Sequence, residues 1–543
     1  MKYTRVLLVF LAGCALLPIA TLAAPADRLE RTPPPLLLAP TDDRPLEDPS
    51  TLAERSRRVE ISRNLIQAID PAQNPTVLLD LFDGENVVAR FERVETPRAG
   101  SRIWVGRIDG DPLSRVFLTV RGSAALLHVN SPVHGVYEVM PLPVGRTGNV
   151  LRKIDTTRFE ACDAEEHGAE AGTCSGGHAA APPETSATAS GSSRLEPRNT
   201  GQGSAGLSGG KGGSTCSEDG STIEVLIVYT DDAATANGGT AGIEALADAA
   251  VVAANDAYAN SQITPRLRLV GVHRALGYQE SNSAEVNLCR LETRFDGFLD
   301  DVPPIRDALG ADVVSLFVDD LFLSDGKARF SIEPGVGGPI AFPERAFNVV
   351  EDGAAVNNLT FAHEVGHNQG SRHDWVADPS AGVFEYSHGY TASTFRTIMS
   401  IQTSRPRVAH FSNPNVLFNG APTGVTGPTN QPTDNARSIN ETAVLVSSFR
   451  CCDNRDAQGD CVLPTCPGSY DCGPDCQPQF PFQCDTNPFG QDACKKGTGE
   501  FQGCARGIGI KKCDCTSGVP GAFCLNQDQA LVCLPYTTVP VCE

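Results

Sequence analysis

The stretch HEVGHNQGSRHD, residues 363–374, decides how the rest of this chain is read. Histidines four residues apart stand one above the other on a single helical face, so His363 and His367 can both direct an imidazole nitrogen at one metal ion. Glu364 lies between them. A carboxylate one residue after the first ligand reaches a water at the metal without displacing it, which is where a general base is needed. Gly370 lets the chain turn, and His373, six residues beyond His367, can swing back as a third nitrogen ligand. Three nitrogens leave one corner of a tetrahedral zinc site open, which marks a catalytic rather than a closed structural site. In a chain with 10 histidines among 543 residues, a bare HExxH arises by chance about once in a hundred such sequences. The glycine and the third histidine at their offsets lower that to about one or two in a hundred thousand.

The pattern HExxHxxGxxHD resembles the metzincin zinc endopeptidases, and Asp374 directly after the third histidine resembles their reprolysin (adamalysin) branch. The resemblance implies a methionine turn beneath the zinc, and Thr397, Ile398, Met399 and Ser400 match it. It also implies one catalytic Zn²⁺ held by His363, His367 and His373, with Glu364 as the base. Some metzincin branches place a zinc-binding tyrosine two residues after the methionine. Ile401 stands there, so no fifth ligand is expected.

The length allows two or three domains with sizeable cores. A formal net charge of -21 argues against nucleic acid or an anionic membrane surface as the main partner. Residues 1–26 read as an export signal: Lys2 and Arg5, an apolar run from Val6 to Leu17, then small residues. Leu11 to Cys14 also resemble a lipoprotein box, so membrane attachment is expected only if Cys14 is lipidated; otherwise the protein is secreted. Fourteen of the 19 cysteines fall between Cys451 and Cys542, which suits a disulfide-rich module at 451–543 made in an oxidising compartment. Asp453, Asp456 and Asp460 hint at a structural Ca²⁺, although their spacing is not that of a calcium loop.

Residues 27–60 are rich in proline and charge and read as extended and weakly ordered. From Thr76 the texture is β-type, with runs at 76–82, 87–94, 102–108, 115–120 and 125–139 divided by Asp83-Gly84, Asp109-Gly110 and Arg121-Gly122. By resemblance, 27–160 is a β-rich propeptide. Cys162 and Cys174 are candidates for a thiol switch on the zinc, with a disulfide between them as the competing reading. Residues 161–221 form a Gly/Ser/Ala/Pro linker in which Arg194, Arg198 and Lys211 are candidate activation points.

The catalytic domain is expected at 222–450. The buried-type strand Ile223–Tyr229, a helix over 240–260, a strand over 266–273, a short helix capped by Asp301 and a strand over 313–318 give an α/β order. With the motif, this is an α/β (α+β) metzincin-like domain with a mixed twisted sheet and an active-site helix. That helix is expected to start at Asn357 or Asn358 and to stop at Gly370. Resemblance places the substrate-pairing edge strand in Gly335–Phe342 and Phe347–Val350. Arg405 and Arg407, beyond Met399, are candidate pocket residues that would favour an acidic side chain, as in bacterial peptidyl-aspartate endopeptidases, which the region resembles. His388 and His410 are read as non-ligands, and Cys216 and Cys289 as a candidate pair. A last helix from Asp434 closes the domain near Arg450. Together these features lead one to expect a secreted, monomeric zinc endopeptidase acting on proteins or peptides and made as a zymogen. The rival is a non-catalytic adhesion or binding protein using the Cys-rich tail on a degenerate protease scaffold.

Overall fold

Apolar side chains on both faces of successive strands fold the N-terminal part of the chain into one antiparallel sheet. The structure, a computed structural model, describes residues 32–159 except 41–45, 47 and 49, then 218–450, 455 and five short strands of the tail. The sheet contains β1 (Leu37–Leu38), β2 (Ala53–Ile61), β3 (Thr76–Phe82), β4 (Glu85–Glu95), β5 (Ser101–Ile108), β6 (Asp111–Arg121), β7 (Ala124–Ser131), β8 (Gly135–Pro141) and β9 (Asn149–Ile154), with helix α1 (Arg63–Ala68) after β2. Their order is β1-β2-β9-β8-β7-β6-β5-β4-β3. Leu36 N donates to Leu78 O at 2.9 Å and Leu78 N to Pro34 O at 2.9 Å, so the first strand also meets the last and the sheet closes on itself. Closure removes the open edge that would otherwise invite pairing with another chain. Leu79, Phe91, Trp104, Leu118, Leu127 and Val139 form one core of this β-domain.

Two strand expectations change. Residues 53–61 are ordered as β2, paired with β9, where 27–60 read as weakly ordered. The run at 125–139 is two strands, β7 and β8, because the chain reverses at Ser131–Gly135. Gly84, Gly110 and Gly122 take the positive φ their turns require (81°, 83° and 52°).

The second sheet carries β10 (Thr222–Thr230), β11 (Arg266–Ala275), β12 (Val313–Val318), β13 (Gly326–Ala328) and β16 (Phe347–Glu351), with a separate hairpin of β14 (Ile332–Glu333) and β15 (Ile340–Ala341) between β13 and β16. Its order is β11-β10-β12-β16-β13; the first four are parallel and β13 is antiparallel to β16. Helices α2 (Asp231–Ala236), α3 (Thr240–Asn260), α4 (Ala284–Glu292), α5 (Val302–Leu309), α6 (Asp352–Ala355), α7 (Thr360–Asn368) and α8 (Asn435–Val446) complete this mixed α/β unit. The edge strand on the side of α7 is therefore β13; the expected Phe347–Val350 is an interior strand, and Gly335–Phe342 belongs largely to the separate hairpin. Strand β13 is three residues long with one glycine, too little pattern to mark it in sequence.

Asp301 precedes α5 but caps it with no side-chain hydrogen bond; its carboxylate meets His273 Nε2 at 2.8 Å instead. Asp434 does cap α8, accepting from Arg437 N at 3.0 Å. The tail contributes paired strands at Phe482–Thr486 and Asp492–Lys496 and a three-stranded sheet of Ile510–Cys513, Ala522–Leu525 and Leu531–Cys533. Among the described residues no helix is long and apolar enough to cross a membrane.

Candidate active site

Helix α7 packs against β12, β13 and β16 and carries the HEVGH segment. Its first residue follows Leu359, which adopts φ 56°, a left-handed conformation that turns the chain sharply into the helix. Neither expected asparagine caps it. Asn358 Nδ2 donates to Asp325 Oδ2 at 2.7 Å and Asn357 Nδ2 to Glu138 Oε2 of the β-domain at 2.5 Å. The helix ends at Asn368, and Gly370 at φ 85° makes the turn that brings back His373.

The three motif histidines converge. Their Nε2 atoms lie 3.0 Å (363–367), 2.9 Å (367–373) and 3.1 Å (363–373) apart, and all three side chains are buried. His363 Nδ1 donates to Ile398 O at 2.7 Å and His367 Nδ1 to Ser371 O at 2.8 Å. A carbonyl can only accept, so these two rings carry their proton on Nδ1 and present an Nε2 lone pair to the centre. Burial, then the neighbouring imidazole and guanidinium charges, holds His363 and His373 well below the usual imidazole range. Burial lowers His367 to about 4, against the help of its bond to Ser371 O. Neutral imidazoles with lone pairs aimed at one point repel one another unless a cation sits between them. A tetrahedral zinc with Zn–N of about 2.1 Å sets its ligands about 3.4 Å apart, so the observed 2.9–3.1 Å spacing needs only a few tenths of an ångström of spreading. The donor set fits zinc. It is the one such group of three His, Cys, Asp or Glu side chains among the described residues.

Glu364 is buried beside these rings. Its carboxylate lies under the edge strand: a Cβ on Gly326 of β13 would stand 2.8 Å from Glu364 Oε1. Beneath the centre, a Cβ on Gly366 would meet Met399 Sδ at 2.7 Å, so glycine between the two helical histidines lets Met399 approach the helix closely. The methionine turn is tied to the motif by Asp374, which accepts from Ser400 Oγ at 2.9 Å and Ile401 N at 3.2 Å. Phe330 sets its ring edge-on to His367, centroids 5.2 Å apart.

His388 and His410 stand outside the cluster. His388 Nδ1 donates to the backbone O of His373 at 2.9 Å, and its ring stacks on Trp375 with centroids 3.7 Å apart. This support for the third motif histidine was hidden from sequence reading, because only folding brings residue 388 beside 373–375.

Residues 219–412 match the family model Reprolysin_5, Metallo-peptidase family M12. This part of the chain is therefore similar to the M12 metallopeptidases. Its relatives include a protein named peptidyl-Asp metalloendopeptidase from Xanthomonas campestris, 29% identical over 428 residues, covering 76% of this chain and 89% of the relative. Proteins of the same name from Stenotrophomonas maltophilia (33% identical over 236 residues) and Pseudomonas aeruginosa (28% over 257) each align with 42% of this chain and with 53% and 40% of their own lengths. Residues 219–412 are thus metzincin-like and similar to bacterial peptidyl-Asp metalloendopeptidases, and the matched family implies a catalytic metal, typically zinc.

The two arginines expected beside the histidine cluster are placed differently. Arg405 is exposed, with Nη1 donating to Ser404 O at 2.9 Å. Arg407 is buried, with Nη1 donating to Asn358 O at 2.7 Å, and its positive charge helps lower all three motif histidines. Arg396, which sequence reading passed over, is buried beside them and donates to Ser400 O at 2.6 Å and Arg405 O at 3.0 Å. The three arginines line a cavity of about 350 Å³ whose opposite wall is the β-domain. The candidate switch cysteines Cys162 and Cys174, the calcium hint at Asp453, Asp456 and Asp460, Cys216 and the expected tail disulfides lie outside the described residues.

Proposed function

We propose that this protein is an exported zinc metalloendopeptidase that hydrolyses internal peptide bonds and is made as a zymogen with the β-domain as its propeptide. The observation that carries this reading is the convergence of three buried Nε2 atoms within 3.1 Å of one another, on and just after a helix that also bears a buried glutamate. His363, His367 and His373 would hold the ion. When bound, zinc supplies a Lewis acid that polarises the scissile carbonyl and lowers the pKa of water. Glu364 takes the proton of the attacking water and passes it to the leaving amine. Carbonyls 398 and 371 keep two rings in the tautomer that presents Nε2. The open side of β13 offers backbone groups for an extended peptide.

The names of the relatives support a preference for aspartate at the scissile bond. Arg407, with Arg396 and Arg405, would be the cationic group that supplies it by charge-assisted pairing, a reading supported by the influence of Arg407 on the motif histidines. The purified protein, activated by cutting before the metallopeptidase domain, should cleave casein and lose that activity to a chelator. Glu364→Ala should retain zinc yet cleave at least about 100-fold more slowly. A variant that keeps full activity would remove Glu364 from its role. Sequencing the products of a random peptide library reads the aspartate preference directly.

A further inference from the structure

Helix α3 has little polar face. Fifteen of its 21 residues are buried, including the run from Ala245 to Ala254. A helix apolar all round must be covered on both sides. One side lies on β11 of the metallopeptidase sheet, and the other lies on β5, β6 and β7 of the β-domain. Ile103, Val105, Phe117 and Leu126 share a continuous core with the alanines and valines of α3.

The polar part of this contact is equally specific. Asp248, fully buried on α3, accepts from Arg98 Nε at 2.7 Å and Ser101 Oγ at 2.7 Å. Glu244, one turn earlier, accepts from Arg121 Nε at 2.7 Å. Asp256 accepts from Arg93 Nη2 at 3.0 Å and from Arg115. All four arginines belong to the β-domain. Away from α3, Arg152 pairs with Glu138 at 2.8 Å, and Glu138 holds Asn357, three residues before the active-site helix.

We propose that the β-domain is a lasting subunit of the protease: after the linker is cut it stays bound across α3 through these arginine–carboxylate pairs and the apolar face they surround. This goes beyond the propeptide reading and rests on it only for where the cut falls. Departure of the β-domain would strip Ile103, Val105, Phe117 and Leu126 from the core they share with the alanines and valines of α3 and would bare that part of the helix. Bared apolar surface of that kind favours continued association.

The test uses the full-length, zinc-loaded chain with a site-specific protease sequence inserted between residues 175 and 210. After cutting, the two pieces should co-elute by size exclusion at physiological and at molar salt, since buried pairs are screened little. Separation of the pieces at physiological salt overturns the proposal. In the same cut protein, Arg98→Ala with Arg121→Ala should weaken retention by at least about 30-fold. Asp248→Asn keeps the side-chain shape should the double variant fail to fold, and should weaken retention by at least about tenfold. Retention as tight as the parent's in the variants removes the assigned charge contacts. Because mass and elution are read, absence of casein cleavage in co-eluting pieces would count against the protease reading and not against the docking.

Discussion

Glycine positions set how closely the candidate catalytic groups approach their neighbours. Gly326 leaves room for Glu364: a methyl group there would stand 2.8 Å from Oε1, 2.9 Å from Thr360 Cγ2 and 2.9 Å from Val349 O. Such contacts are closer than van der Waals separation permits, so either the carboxylate or the edge strand must move. Gly326→Ala should therefore lower kcat by about tenfold or more while zinc content, read by atomic absorption, stays at one per chain. Unchanged kcat would mean that the base tolerates displacement. In the sequence, Gly326 was one glycine among 52; its consequence depends on residue 364 lying across the strand. The histidines and Glu364 were legible because their spacing along one helix is local.

At the scale of elements, the active-site helix and the methionine turn are separate pieces of chain joined through Asp374. Its buried carboxylate serves Ser400 Oγ, Ile401 N and, at 3.4 Å, Gln402 Nε2. Asp374→Ala removes the acceptor these donors share and should cost about 1–3 kcal/mol of stability, measured by denaturant unfolding. A cost near zero would show that water replaces the carboxylate freely. Helix α3 illustrates how element-level reading falls short. Ile243, Leu246, Ala250 and Val251 share one face in sequence, yet Ala245 and Ala249 are just as buried, because alanine fits against a second layer without announcing it. The asparagine caps failed for a related reason: Asn357 and Asn358 are drawn to Glu138 and Asp325, partners distant in sequence.

Across the whole molecule, carboxylates gather where β10, β12 and β16 end. Burial raises Glu280 to about 7, Asp319 to about 6 and Glu351 to about 8, with neighbouring carboxylates adding to the effect. A carboxyl whose folded pKa lies above its unfolded one keeps its proton in the folded state after the unfolded chain has lost it. Stability then declines as pH rises from the unfolded value toward the folded one and levels off above it. Tm should therefore fall between about pH 5 and about pH 8, and Glu351→Gln should flatten that slope. An equal slope in the variant would show that Glu351 does not carry it. Removal of metal should act at the same scale: chelation should lower Tm and zinc should restore it, since an ion that binds only the folded state stabilises it by mass action.

The sequence by itself determined the spacing of the three histidines and Glu364, the glycine turn after their helix, the turn at Met399 and the alternation of strand and helix, because each is written in spacings of a few residues. Tertiary structure alone decided that β13 is the edge strand, that Arg407 is buried while Arg405 is exposed, that Arg396 joins them, and that α3 is roofed by a closed β-sheet. Those features depend on which distant segments pack together, and burial and charge pairing across such contacts leave no periodic trace in a single chain.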